Sequence, residues 1–370
     1  MAPPLPEFGH TTLLLLFPPF PWLPTNLFGR DSTLEALLGL AERFASFTLV
    51  GAGGMGKTAI AVTLLRHGQI AEKFGKHRYF IHCDRVKNSL DSFLERLSEA
   101  IGARFKDVAQ LWSYLEGSPC ILVLDGVDSI LDPRASGAAE ITKAIGELGR
   151  RPKVCILATS RMDIKIANFF PMEVSTLPVE AARDVFHSYC RLGELDEVDD
   201  LLEELDFHPL SITLLACAVN ENGWDTPALF DAWDNDQTKI LKASGRQSLE
   251  DMIESTLRAP TIQKLGPTAR QTLEAIAVFE EGVEEIQLFK EFPSIDQIGS
   301  AVSALCKFSL MYRQEGFVKM FSPFRLYFQD TAQSPVSPPG SDSLYGSAAE
   351  DDPHIPRGSS LVICFFSVTG

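Results

Sequence analysis

Hydrophobic and polar positions follow two regimes along this chain. Between positions 47 and 174, short apolar runs recur at 47–50, 78–83, 120–124 and 154–159, with a brief fifth at 172–174, and amphipathic helical patterns fill the intervals. Runs that are apolar throughout belong to strands buried on both faces, and the helices between them return the chain so that the strands lie parallel. The pattern predicts an α/β layer with a parallel five-stranded sheet. A helix precedes it in "RDSTLEALLGLAERF", where Ser32 and Glu35 have capping-box spacing and Leu34, Leu37, Leu38 and Ala41 share a face.

Past about 177 the strand signal fades. "ELDEVDDLLEELD" sets Leu195, Val198, Leu202 and Leu205 on one stripe with the acids elsewhere, the pattern of a helix with a solvated face. "FHPLSITLLACAVNENG" reads as another helix. From 248 to 330 several helices lead into "FSLMYRQEGFVKMFSP", two β-type runs around Gln314, Glu315 and Gly316, and helices closed by a hairpin predict a winged-helix unit. The expected organisation is a proline-rich lead-in (1–26), a nucleotide-binding domain (27–177), a helical domain (178–247), a winged-helix-like domain (248–330) and a tail (331–370). The tail is rich in Ser, Pro and Gly, buries too little apolar surface to offset chain entropy, and is expected to be disordered.

Composition narrows the partners. The chain has 370 residues, 45% hydrophobic and 22% charged, with a formal net charge of −16. That balance argues against an extended nucleic-acid or anionic-membrane surface and for protein partners or a small anion in a local pocket. The seven cysteines stand singly, several inside apolar runs, as buried reduced thiols of a cytoplasmic protein do. The apolar run near the N-terminus has no Lys or Arg before Arg30 and is broken by prolines, so neither a secretion signal nor a membrane span is expected; the last ten residues are too short to cross a bilayer.

The chemistry concentrates in "FTLVGAGGMGKTAIAV", which carries two fingerprints. Gly51, Gly53 and Gly56 spell the GxGxxG of a dinucleotide-binding turn, with Asp84 after the next run as its ribose acid; Gly51, Gly56, Lys57 and Thr58 spell the GxxxxGK[ST] of a P-loop. The Lys57–Thr58 pair favours the P-loop, which needs an ammonium on the terminal phosphates and a hydroxyl on Mg2+ at the first turn of the following helix. "CILVLDGVD" supplies Asp125 at the end of an apolar run, suited to holding Mg2+ beside Thr58. Gly126 follows where many hydrolysing relatives have a second acid. Asp128 either replaces that base or caps the next segment, and weak hydrolysis is expected. In "ILATSR", Ser160 and Arg161 either face the γ-phosphate or, for Arg161, lie in solvent.

Read in order, these segments resemble the NB-ARC branch of the STAND P-loop NTPases, the switch modules of NOD-like receptors and apoptosome proteins. "LFGRD" is similar to the family's adenine-side entry motif, "GAGGMGKT" to its Walker A, "ILVLDGVD" to its Walker B, "ATSR" to its sensor-one strand and "FHPLSITLLA" to its GLPL helix, in a style closest to fungal members that continue into tetratricopeptide repeats. The resemblance implies that Phe28, Gly29 and Arg30 line the adenine side. It also implies that Gly51, Gly53, Gly54, Met55, Gly56, Lys57, Thr58 and Ala59 hold the phosphates, that Pro209 approaches the base or sugar, and that Thr58 and Asp125 bind Mg2+. Two departures stand out: Phe207 replaces the glycine of GLPL, and "VKMFSPF" offers Phe321 and Ser322 where the family's winged helix has a histidine for ADP. No repeat array is expected after Asp330 and no effector domain before Leu27. The implied function is an ATP/ADP-driven switch with self-association or protein partners and at most slow ATPase activity. The alternatives are a catalytic P-loop enzyme, such as a small-molecule kinase or active ATPase, and a NAD-binding Rossmann protein.

Overall fold

The computed structural model of the chain describes residues 27–333, apart from 88, 191–197, 242–247, 281 and 315. The proline-rich segment 1–26, Leu195, Glu315 and the segment beyond 333 lie outside the described residues.

The first element is α1 (Asp31–Glu42), with Leu37 and Ala41 buried one turn apart. Its start corrects the sequence reading. Arg30 occupies the N-cap position with no side-chain cap and Ser32 lies inside the helix, so the Ser32–Glu35 capping box does not form. Tertiary contacts override the local signal: the buried Arg30 guanidinium donates to the carbonyls of Ser175 (2.7 Å), Met55 (3.3 Å) and Thr176 (3.4 Å), anchoring the residue ahead of the helix.

Then follow β1 (Ser46–Val50), α2 (Lys57–Arg66), α3 (Gly68–Phe74), β2 (Arg78–His82), α4 (Leu90–Ile101), α5 (Val108–Leu115), β3 (Cys120–Asp125), α6 (Asp128–Leu131), α7 (Ala138–Leu148), β4 (Val154–Ser160) and β5 (Phe169–Glu173). The five strands form one parallel sheet in the order β2-β3-β4-β1-β5. Four strands fall within a residue or so of the sequence expectation. The fifth starts three residues early, at 169 rather than 172. Pro171 inside that run argues against a strand, but an edge strand tolerates the missing N–H, and β5 is an edge.

The strand order also removes the Rossmann alternative. A dinucleotide fold pairs its first strand with its second; here β3 and β4 separate them. Asp84, the candidate ribose acid, is exposed in the short turn after β2.

Alternate residues of the strands supply two cores, as a period of two requires. Tyr79, Ile81, Leu122, Leu124, Ile156 and Ala158 pack on one face against Leu94 and Leu97 of α4, Leu111 and Leu115 of α5, and Ile141 and Ile145 of α7. Phe47, Leu49, Ile121, Val123, Cys155 and Leu157 belong to the other, with Leu37, Ile60, Leu64 and Phe74.

The rest is mainly helical: α8 (Val179–Tyr189), α9 (Asp199–Glu204), α10 (Pro209–Asn222), α11 (Thr226–Asp236), α12 (Leu249–Leu257), α13 (Pro260–Gln263) and α14 (Pro267–Ala277), then β6 (Val283–Glu284), α15 (Glu285–Glu291), α16 (Ile298–Lys307), β7 (Tyr312–Gln314), β8 (Phe317–Lys319) and α17 (Ser322–Gln333). The expected hairpin is β7–β8, antiparallel, and β6 adds a third strand on the far side of β8. Val198, Leu202 and Leu205 are buried, as the stripe predicts. Asp206 and Phe207, just before α10, both have left-handed backbone (φ +50° and +52°), so a phenylalanine fills a conformation glycine takes at no steric cost. No described helix is long and apolar enough to cross a membrane.

Candidate functional site

The glycine-rich turn joins β1 to α2, and its glycines serve two different needs. Gly56 is the N-cap of α2 at φ +87°, with open space where a Cβ would go, so the requirement there is conformational. At Gly51, Gly53 and Gly54 it is room: a Cβ would stand 2.6 Å from the Val174 carbonyl oxygen, 2.2 Å from Met252 Sδ and 2.5 Å from His208 Cε1. The loop is thus backed by the end of β5, by α12 and by the residue that caps α10.

Lys57, the first residue of α2, is buried, and its ammonium donates to the carbonyls of Gly51 and Ala52 at 2.7 Å each. Burial pushes its pKa down to about 8, against the opposing pull of Asp128 and Asp125. Thr58 Oγ1 donates to Asp125 Oδ1 at 2.8 Å. Thr159 Oγ1 donates to the same oxygen at 2.7 Å and accepts from the Gly126 N–H at 2.9 Å. His82 Nδ1, at the end of β2, lies 3.8 Å from Asp125 Oδ2. The sheet register therefore gathers the ends of β2, β3 and β4 beside the first turn of α2.

Asp128 is neither a free base nor a side-chain cap. Its oxygens accept from the Arg161 backbone N–H (3.0 Å) and Nε (2.9 Å), with Arg161 Nη2 also 2.9 Å away. Arg161 further donates through Nη1 to Thr256 of α12 (2.8 Å), and its carbonyl accepts from Ser309 Oγ (2.5 Å). It is held between the sheet and the later helices rather than left in solvent. Ser160, expected beside it at the γ-phosphate, turns away: it is fully buried and bonds Met162. Strand alternation explains this, since Thr159 and Ser160 face opposite sides and Thr159 is the one that meets Asp125.

One cleft of about 370 Å³ runs along this loop. Gly54, Met55, Gly56, Lys57, Thr58 and Ala59 form one end; Leu27, Phe28, Arg30, Leu177, Val185, Tyr189, Pro209, Leu210 and Thr213 form the rest. The first end offers backbone N–H groups and an ammonium at a helix N-terminus, which suits phosphate; the other is largely apolar, which suits a flat aromatic base. Of the expected nucleotide residues, Gly29, Gly51 and Gly53 do not line it. Gly29 (φ +62°) packs so closely on α8 that a Cβ would stand 2.4 Å from the Ala181 Cβ. Phe321 and Ser322 do not line it either.

Two buried polar residues absent from the sequence reading tie the sheet layer to the later helices, the first of them at the glycine-rich loop. His208 is fully buried, its Nε2 2.9 Å from the Gly53 carbonyl oxygen and its Nδ1 2.9 Å from Ser211 Oγ. Asp132, also fully buried, accepts from Thr261 N–H (2.9 Å) and Oγ1 (2.5 Å) of α13 and from Arg134 N–H (3.0 Å). A histidine directly before a proline at a helix start, with serine three residues on, was the available signal for the first. An acid between an apolar run and a proline was the signal for the second.

Residues 47–170 match the ATPase family associated with various cellular activities (AAA). No curated protein matches the chain. Among solved structures, the Walker-type ATPase of Pyrococcus abyssi is similar with a TM-score of 0.62 at 14% identity, over 85% of this chain and 98% of that one. A signal-transduction ATPase with numerous domains (STAND) and a tetratricopeptide repeat sensor, from Pyrococcus horikoshii, aligns at 15% identity over 85% of this chain and 44% of that one, with a TM-score of 0.39. The Orc1 protein of Aeropyrum pernix, solved in complex with DNA, aligns at 13% identity over 84% and 94%, with a TM-score of 0.41. The last two likenesses are too loose to inform any part of this chain. The sheet layer is thus similar to AAA-type P-loop ATPases, and the fold over most of the chain is shared with the Pyrococcus abyssi ATPase.

Proposed function

We propose that this chain is an adenine-nucleotide-dependent switch of the STAND, NB-ARC-like class: a nucleotide-binding domain (27–177), a helical domain (178–247) and a winged-helix-type domain (248–330). ADP stabilises the closed arrangement and exchange for ATP favours an open one. One observation carries the reading: the cleft takes its phosphate end from the P-loop and part of its apolar end from α8 and α10, so a nucleotide filling it touches both domains. A ligand bound only by the closed form stabilises it by RT ln(1 + [L]/Kd), about 2.7 kcal/mol at a hundredfold excess over Kd, and a ligand that prefers the open form shifts the population back.

Mg2+ suits the donors present. A hydroxyl and a carboxylate oxygen 2.8 Å apart, Thr58 and Asp125, are hard oxygen ligands beside the phosphate end. Bound there, the ion supplies positive charge to the terminal phosphates. Hydrolysis is slow on this reading, because Gly126 follows Asp125 and Asp128 is committed to Arg161. An active ATPase is the second reading, favoured by the AAA match. We further read the chain as cytoplasmic and self-associating or protein-bound. Nucleic acid is not among its partners on this reading, since α16 carries only Lys307 as a basic residue.

The test is to purify the protein without added nucleotide, denature it and identify what is released, alongside Lys57→Ala. Near-stoichiometric ADP from the wild type and much less from the variant supports the switch. A protein that carries none and binds neither added ATP nor ADP overturns it, and rapid multiple-turnover hydrolysis favours the active ATPase.

A further inference from the structure

The P-loop's hydrogen bonding is not closed within the loop. The carbonyl of Gly53 points at His208, 155 positions later in the chain, and accepts a hydrogen bond from its Nε2–H at 2.9 Å. A carbonyl only accepts, so Nε2 carries the ring proton. Nδ1 then presents its lone pair to Ser211, whose N–H (3.3 Å) and hydroxyl (2.9 Å) converge on it. That pairing fixes the tautomer and the ring plane, and Phe324 of α17 packs edge-on against the ring, with centroids 5.6 Å apart. Burial holds the imidazole neutral by lowering its pKa to about 4.

The peptide between Gly53 and Gly54 is trans, so its C=O and N–H point in opposite directions. A carbonyl held towards His208 turns the Gly54 N–H away from the imidazole, and Gly54 lines the phosphate end of the cleft. Glycine is the residue most able to rotate such a peptide, and both flanking positions are glycine.

We infer that His208 is a positioning residue for phosphate: by holding the Gly53 carbonyl it aims the Gly54 amide, and it makes tight binding of phosphate-bearing ligands conditional on α10 being docked against the loop. This rests on the nucleotide-switch reading and gives it a specific route. The helical domain acts on the phosphate end through one peptide plane, in addition to contributing to the base end through Pro209 and Leu210.

The experiment measures binding of ADP, pyrophosphate and adenosine by calorimetry to the wild type, His208→Met and His208→Gln. Methionine fills similar space without a donor. Glutamine places an amide N–H near the position of Nε2. The Met variant is expected to weaken ADP and pyrophosphate by about tenfold or more, the scale of one well-aimed hydrogen bond to a charged group, and to leave adenosine nearly unchanged. The Gln variant is expected to restore most of that loss. Equal weakening of all three ligands, or undiminished ADP binding in the Met variant, overturns the inference and leaves the switch reading standing. Failure of the wild type to bind ADP or ATP overturns the switch reading, and this inference with it. One measurement needs no variant: 15N spectra of the wild type should show His208 protonated at Nε2 alone at pH 7, and the opposite tautomer or an imidazolium refutes the arrangement even if the Met variant does not fold.

Discussion

The two faces of the central sheet keep different company. The face of Leu122, Leu124 and Ile156 packs on α4, α5 and α7, and its core is complete between residues 79 and 169. The face of Val123 and Leu157 belongs to a core that runs on without a break through α8, α10, α12 and α14 to Phe328. One face is therefore a private core of the sheet layer. The other is shared with everything that follows, and polar contacts cross at its edges, among them His208 to Gly53, Arg161 to Thr256 and Ser309, and Asp132 to Thr261. The lesson is that apolar contact decides how strongly the later helices adhere, while the few buried polar pairs decide in which position they adhere.

The largest expected effect comes from the polar edge. Arg161→Ala leaves Asp128, 3% exposed, without its ion-pair partner, and removing one partner of such a buried pair costs about 3–5 kcal/mol. Replacing Asp128 by Asn in the same chain should recover much of the loss, as read by chemical denaturation. A cost for Arg161→Ala alone below about 1 kcal/mol, the scale of an exposed pair, breaks the contrast between seam and surface. Next come Leu122→Ala and Leu157→Ala, one on each face and both fully buried; each is expected to cost about 2–5 kcal/mol. Hydrogen exchange separates them: the first should loosen α4, α5 and α7, the second α10 and α12 as well. Matching exchange profiles mean that the faces are not distinct in the way described.

Smaller is the pH dependence of the phosphate end. Lys57, near pKa 8 in the fold against 10.5 for an ordinary lysine, binds an anion only when charged. ADP affinity is therefore expected to fall by up to about tenfold per unit as pH rises from 8 to 10. Stability of the ligand-free protein moves the opposite way: the fold disfavours the charged form, so the penalty present below pH 8 fades as pH rises from 8 towards 10.5. Titrations at stepped pH check both signs, and affinity that is flat across this range removes Lys57 from the phosphate end. The smallest effect belongs to Thr261→Val, which removes one of the donors to Asp132 while the backbone N–H groups of Thr261 and Arg134 remain. A loss of about 1 kcal/mol is expected by thermal denaturation, and a loss several times larger makes this contact, rather than Arg161, the principal polar tie.

What the sequence disclosed follows the range of the forces involved. The strands β1 to β4, the P-loop and the acid after β3 are signalled by neighbouring residues, because glycine conformation, apolar runs and the first turn of a helix are local matters. The errors came where distant parts of the chain decide. Ser32 has the spacing of a cap, but Arg30 is pinned by carbonyls 25 and 145 positions away. Ser160 and Thr159 differ by one step of strand parity, and only the sheet register says which meets Asp125. Asp128 has the local setting of a base or a cap, and its actual partner, Arg161, lies 33 positions on. The sequence points to Pro209 rather than its neighbour His208, since nothing near His208 in sequence shows that a glycine carbonyl waits 155 positions earlier.

The three glycines of the P-loop that need room each lean on a later segment: Gly51 on Val174, Gly54 on His208 and Gly53 on Met252. During synthesis these supports leave the ribosome in that order, long after the loop itself. The loop therefore exists first as an unbacked turn, gains one wall when β5 pairs, and receives its last only when α12 has been made. Its closing contacts span up to about two hundred residues, which places them among the slow, late events of folding. A nascent chain that stops short of α12 has the glycine-rich loop without the surroundings that hold it in shape, so on the proposed reading tight nucleotide binding marks a chain whose helical half has already arrived.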